Sequence, residues 1–327
     1  MRGRDLAIIL AVVLLAGFAV ADALRSRSQE AEPTTSETSA PESGPRPQAE
    51  APPGWPQGLL QGTLVFTDAE DCRVRVIGLA GGRERPVGTV LSDCRLWAAP
   101  VSQRIAYGTG SDSFRFIDLI DTDRALGEFD GPLRQVLWSA DGQRAAWCTS
   151  SEVGFEIDAG ELTPHLLRRC PVAYAPGGRP AFAVGRRLIV EGRTVLRVGG
   201  AITFARWGVD GSISVAVDGR RLERYEGGRL TGALEVPEAQ VAGADPVLSP
   251  DNCAVAVEVD PSRIRIGDLG CFAGGPTTIF GSAAAWSPDG NWIAVSEVDR
   301  VEFHRLVPPG RVLAYPVRAP ALAWRGR

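Results

Sequence analysis

Short apolar runs separated by polar turns fill residues 60–327, and most of them are introduced by the same phrase. Its fullest form is Ala285-Trp286-Ser287-Pro288-Asp289-Gly290-Asn291-Trp292-Ile293-Ala294-Val295. Weaker copies stand at Leu96-Trp97-Ala98-Ala99-Pro100, Leu137-Trp138-Ser139-Ala140-Asp141-Gly142, Ala173-Tyr174-Ala175-Pro176-Gly177-Gly178, Arg206-Trp207-Gly208-Val209-Asp210-Gly211 and Val247-Leu248-Ser249-Pro250-Asp251-Asn252, with a shortened one at Ala323-Trp324. The aromatic or equivalent position falls at 97, 138, 174, 207, 248, 286 and 324, so the intervals are 41, 36, 33, 41, 38 and 38. In each copy the aromatic residue ends one strand, the turn reverses the chain, and the apolar run begins the next strand. Pro presets φ for the first central position, Asp bonds nearby backbone, and Gly accepts the left-handed conformation that closes the hairpin.

One such hairpin about every forty residues, followed by further strands, predicts a β-propeller. Seven innermost strands predict seven blades. A six-bladed ring is the alternative, because the copies at 174 and 207 are the closest together and the least regular. Third strands are expected at Ser113 to Leu119, Gly154 to Ile157, Arg187 to Glu191, Arg221 to Tyr225, Ser262 to Asp268 and Arg300 to Leu306. The first folded segment, Gly62 to Phe66 and Cys72 to Ile77, has no turn phrase before it, whereas the last, Ala319 to Trp324, has nothing after it. If the carboxy-terminal strand joins the blade begun at the amino terminus, the ring closes without an open seam.

The amino-terminal part divides differently. Arg2 and Arg4 precede the uncharged run Leu6 to Ala21, and Asp22 follows it. A helix of that run spans about 24 Å against a hydrocarbon core of about 30 Å, which Ala23 and Leu24 extend if Asp22 snorkels. Residues 1–25 therefore read as a membrane-inserting hydrophobic helix: a signal anchor is preferred, and a signal peptide cleaved after Ala19-Val20-Ala21 is the alternative. The leading arginines keep the amino terminus inside and send the rest of the chain to the extracytoplasmic side. Residues 26–58, rich in Pro, Ser, Thr and Glu, read as a disordered tether, and residues 59–327 as the propeller.

The chain has 35 basic and 39 acidic residues, and every basic residue is Arg. A net charge of −4 gives no signal for nucleic acid. Six cysteines in an exported chain point to disulfides. The strand map puts Cys72 with Cys94 and Cys148 with Cys170 on one face of the ring, and Cys253 with Cys271 on the other. Each bridge would close a loop of about 20 residues and contribute about 3 kcal/mol. A metal site fits poorly, since there is no Cys-x-x-Cys and both histidines are remote in sequence from the cysteines.

The Ser-Pro-Asp-Gly phrase after Trp286, followed by the short aliphatic strand from Trp292, resembles the repeats of TolB-like propellers, relatives of WD-type repeats. The resemblance covers about residues 60–327 and implies the fold and an envelope setting, without assigning a role. In place of the α/β domain that precedes the propeller in the family's namesake, this chain has the hydrophobic run and the tether.

Catalysis has little to stand on. His165 follows a Thr-Pro turn and His304 lies in a third strand, so both read as structural, and there is no Gly-x-Ser-x-Gly elbow. Asp141, Asp210, Asp251 and Asp289, with Gly142, Gly211 and Gly290, are turn residues rather than paired carboxylates. The loops between second and third strands are more suggestive. They carry Asp68, Glu70, Asp71, Asp112, Glu152, Asp218, Asp260, Glu297 and Asp299, which would form an acidic rim on one face. Of these Asp71, Asp112, Glu152, Asp218, Asp260 and Asp299 are the candidate ligand-binding residues, suited to a cation or a basic partner. The seven tryptophans of the repeats read as packing between blades, and Trp55 as the one left free. The expectation is a membrane-tethered, extracytoplasmic, non-catalytic module without cofactor that binds an envelope protein or small ligand. The alternative is a lyase, lactonase or glycosidase with carboxylates or a divalent cation in the channel.

Overall fold

The computed structural model describes Trp55 and residues 58–326, apart from 91–93, 101–103, 109–112, 119–123, 131–135, 149–152, 159–163, 237–246 and 261. The expected helix over 1–25 and the tether up to residue 54 lie outside the described residues.

Seven four-stranded antiparallel sheets form seven blades. The copies at 174 and 207 each supply the innermost strand of a separate blade, Ala173–Ala175 and Ile202–Trp207, so the ring has seven blades and not six. The other innermost strands are Leu96–Ala98, Val136–Trp138, Val247–Leu248, Ala283–Trp286 and Ala321–Arg325. The last of these belongs to the blade of Thr63–Thr67, Arg73–Gly78 and Arg83–Val90, and pairs with Thr63–Thr67 from Thr63↔Arg325 to Thr67↔Ala321. The two ends of the chain thus complete one sheet. We call it the first blade, the second starting at Leu96.

Second strands other than Arg179–Val184 are buried on both faces because each blade is sandwiched between two others. Ala254–Val257 and the whole of Trp292–Ser296 are buried without alternation. Six apolar clusters each join a pair of adjacent blades. Among the described residues, the joint between the third and fourth blades is instead polar. There the Tyr174 hydroxyl donates to Glu156 Oε1 at 2.8 Å, and Arg144 Nη1 donates to the Gly178 carbonyl at 3.1 Å. The Tyr174 phenol is pushed above its usual range by burial and by the Glu156 carboxylate.

The cysteines pair as Cys72–Cys94, Cys148–Cys170 and Cys253–Cys271, with Cα atoms 4.7, 5.5 and 5.0 Å apart, distances suited to disulfides. The first two bridges lie on the face of the second-to-third-strand loops and the blade connections. The third lies on the opposite face, between the two hairpin turns of the sixth blade.

One expectation fails. Trp55 is not free but 8% exposed, wedged at the seam of the seventh and first blades. Its ring meets Phe303 and Tyr315 edge-on, each at 5.8 Å, and its Nε1 donates to the Leu79 carbonyl at 2.9 Å. An indole outside the repeats still has a large apolar surface to bury and one N–H to satisfy, and this seam does both.

Candidate functional site

The turn residues close their own hairpins. Asp141 Oδ1 accepts from Ser139 Oγ at 2.5 Å and from the Gln143 N–H at 3.0 Å, while Ser139 Oγ accepts from the Arg144 N–H at 2.9 Å. Gly142 takes φ 64° and donates to the Ser139 carbonyl at 2.9 Å. The arrangement repeats around Asp289 and Gly290, and around Asp251, where Asn252 takes the left-handed position with φ 57°. Asp210 accepts from Ser212 N–H at 3.0 Å and receives Arg224 Nη2 at 2.6 Å, with Gly211 completing the turn at φ 81°.

The hydrogen bond from Ser139 and the Gln143 N–H hold the Asp141 carboxyl below its ordinary value of 3.8. At Asp289, burial raises the carboxyl, but the donors Ser287 and Asn291 outweigh it and the net direction is again down from 3.8. The resulting stabilisation is complete above the unfolded value and is lost as pH falls through the lowered folded value. Asp141→Asn with Asp289→Asn is therefore expected to flatten the fall of the urea midpoint between about pH 4 and about pH 2. Identical acid limbs in wild type and variant would rule these carboxylates out as its source.

On the other face, the rim carboxylates are held by N–H groups and arginines of their own or adjacent segments. Asp71 accepts from the Arg73 N–H at 3.0 Å and lies 3.3 Å from Arg73 Nε. Asp218, itself at φ 50°, accepts from the Ala201 N–H at 2.7 Å. Asp260 accepts from the Ser262 N–H at 2.9 Å and from Arg263 Nε at 2.5 Å. Asp68 is buried against Arg75 Nη2 at 2.5 Å, and Glu70 donates its N–H to Asp68 Oδ1 at 2.9 Å. Glu297 binds Arg300 Nη2 at 2.8 Å, whereas Asp299 stands 3.8 Å from Arg300 Nη1. Asp112 and Glu152 lie outside the described residues. Among the described residues no three acidic, histidine or cysteine side chains gather as a metal site would require. The loops therefore present carboxylates fixed by nearby N–H groups or arginines, with Glu297 and Asp299 sharing Arg300.

His165 is exposed at the start of an outermost strand. His304 Nε2 lies 3.2 Å from Glu302 Oε2, and burial pushes the imidazole below its usual value despite that carboxylate.

Sequence reasoning missed a set of arginines that tie blade to blade. Arg325 Nη2 donates to the Arg104 carbonyl at 2.5 Å, Arg104 Nη1 to the Gly142 carbonyl at 3.0 Å, and Arg206 Nη1 to the Leu248 carbonyl at 2.5 Å. Arg104 and Arg144 each open a second strand, whereas Arg206 and Arg325 stand on innermost strands beside Trp207 and Trp324, so no single spacing from the turn marks the set. The repeat tryptophans work alongside. Trp138 Nε1 donates to the Trp97 carbonyl at 3.1 Å and Trp286 Nε1 to the Val247 carbonyl at 2.9 Å, each reaching the preceding blade.

Comparison with solved structures fits this geometry. A chain in the crystal structure of the mitotic checkpoint complex is similar with TM-score 0.52 and 13% identity, over 84% of this chain and 99% of that one. The C-terminal WD40 domain of Sif2 is similar with TM-score 0.50 and 14% identity, over 82% of this chain and 84% of that one. The fold is a WD40-type, seven-bladed propeller. At these identities the likeness concerns the fold alone. No family model matches the chain, and neither does any curated protein.

Proposed function

We propose that this WD40-type propeller is a non-catalytic, TolB-like binding module of the cell envelope, held at the membrane by its amino-terminal segment with the propeller on the extracytoplasmic side. The observation that carries the reading is the acidic loop face, where Asp71 and Asp260 are fixed within their own loops and Asp218 by the adjacent blade connection at Ala201. Such a surface has charge in defined places and little freedom to lose on binding. Propellers of this type commonly serve as protein-interaction scaffolds. The three cysteine pairs, with no free cysteine among the described residues, suit an oxidising compartment.

The test is a crosslinking capture from envelope extract with the full chain, comparing wild type with the triple variant Asp71→Asn, Asp260→Asn, Asp299→Asn. The expected result is a partner held by wild type and weakened about tenfold or more by the variant. Undiminished capture by the variant would move the binding surface elsewhere, and no capture by either form would end the binding-module reading.

A further inference from the structure

A groove of 440 Å³ opens on the outer side of the ring between the sixth and seventh blades. One wall is Thr277–Phe280, the outermost strand of the sixth blade, and the other is the third strand of the seventh, Val301–Leu306. It runs from the turns at Pro276 and Pro309 to the loop at Glu297, the full length of a strand.

The wall strand is unusual for its position. Outermost strands present an unpaired backbone edge, which proteins blunt with charge, with proline or by shortness. Here Arg83–Val90, Arg124–Asp130, Arg193–Arg197, Arg229–Glu235 and Pro309–Tyr315 each carry charged residues, proline or both, and His165–Leu167 has only three residues. Thr277-Thr278-Ile279-Phe280 carries neither charge nor proline. It pairs on one side only, from Ile266↔Thr277 to Arg263↔Phe280. Phe280 is 68% exposed at its end, on the same side as Val298, which is 81% exposed.

That end is also acidic. Glu297, Asp299 and Glu302 share one guanidinium, with Arg300 at 2.8, 3.8 and 2.8 Å from them respectively. His304 beside Glu302 is held toward neutrality by burial, and the Arg305 guanidinium lies over the Trp292 ring, 5.9 Å from its centre. Burial and the neighbouring Glu302 raise the Glu297 carboxyl, so an added cation at this end would relieve a crowded anionic pair.

We propose that this groove takes an extended polypeptide segment of a partner protein, added as a strand to the free edge of Thr277–Phe280, with an arginine that projects to the Ile279 face and whose guanidinium meets Glu297 and Glu302. Backbone bonds to the edge, which a charge at exposed Phe280 would blunt, supply affinity, and the arginine supplies selectivity, since its planar fork fits carboxylates. The proposal rests on the chain being a binding module and assigns a surface apart from most of the acidic loops.

The test uses the full chain and a labelled probe peptide of alternating threonine and valine with one central arginine, read by fluorescence anisotropy. Two control peptides replace the arginine by glutamate or methylate alternate backbone nitrogens. Saturable binding of the arginine probe is expected, weaker by about tenfold for Phe280→Glu and for Glu302→Gln, and absent for both controls. Phe280 is exposed enough for its variant to keep the fold, and a melting curve checks this for each protein. Equal affinity for wild type and Phe280→Glu, or no binding of the arginine probe, overturns the groove. If envelope capture persists in that case, the binding-module reading stands without it; if neither capture nor probe binding occurs, both fall.

Discussion

Deletion of residues 319–327 is expected to abolish cooperative folding, the largest effect of any change considered. On its inner side Thr63–Thr67 pairs with the lost strand Ala321–Arg325, and the deleted segment carries three anchors. Trp324 is buried edge-on to Phe303 at 5.5 Å and donates its Nε1 to the Gln61 carbonyl at 2.9 Å. Arg325, only 3% exposed, reaches the second blade, and the Ala319 N–H donates to Ser296 Oγ in the seventh at 3.1 Å. Without them Leu64, Val65 and Phe66 lose a side of their packing, and each such side chain is worth about 1.5–3 kcal/mol when buried. Together with the orphaned strand edge this approaches the whole stability of a domain, about 5–15 kcal/mol. Near-ultraviolet circular dichroism and a urea titration of the deletion variant decide it. A cooperative transition within about 1 kcal/mol of wild type would show that the seam does not close the ring energetically.

Replacing Trp55 by Ala is expected to cost about 3–5 kcal/mol, as for other buried large aromatics. The cavity would open between Phe303 and Tyr315. Beside it, the Tyr315 hydroxyl donates to Glu84 Oε2, and Arg75 Nη1 donates to Glu84 Oε1 at 2.9 Å. Admission of water to that buried set would add to the loss. Trp55→Phe keeps a ring in the wedge but leaves the Leu79 carbonyl without its donor, for a smaller cost of about 1–3 kcal/mol. Urea midpoints of the three proteins make the comparison; a Trp55→Ala midpoint equal to wild type would mean that the chain ahead of the first strand merely lies on the surface.

The turns were legible because their chemistry is local. Ser139, Asp141 and Gly142 meet within one hairpin, so their order in sequence states their contacts. Third strands were legible for a related reason: in Val301–Leu306 the apolar residues at 301 and 303 are fully buried while the polar ones at 302 and 304 are only partly so, a readable alternation. Outermost strands gave no such contrast. Arg193–Arg197 is exposed except at Leu196, and nothing in its pattern separates it from a loop. Of the acids, Asp71, Asp218 and Asp299 stand in loops and Asp260 ends a strand, and the pairing of Asp260 with Arg263 and of Glu297 with Arg300, three positions on, went unread. Trp55 could not be placed from the sequence because its partners are remote, Phe303 and Tyr315 lying at the other end of the chain.

The position of Trp55 also sets how the propeller would bear mechanical load. Tension applied through the chain ahead of it meets first an indole wedge and then Leu60, 1% exposed in the same cluster. Behind them is Thr63–Thr67, laddered on both edges, to Ala321–Arg325 on one side and Arg73–Gly78 on the other. Pulling along that strand must shear both ladders at once instead of unzipping one bond at a time. The end of the propeller nearest the amino terminus is thus built as a grip, an indole wedge backed by a strand held on both edges.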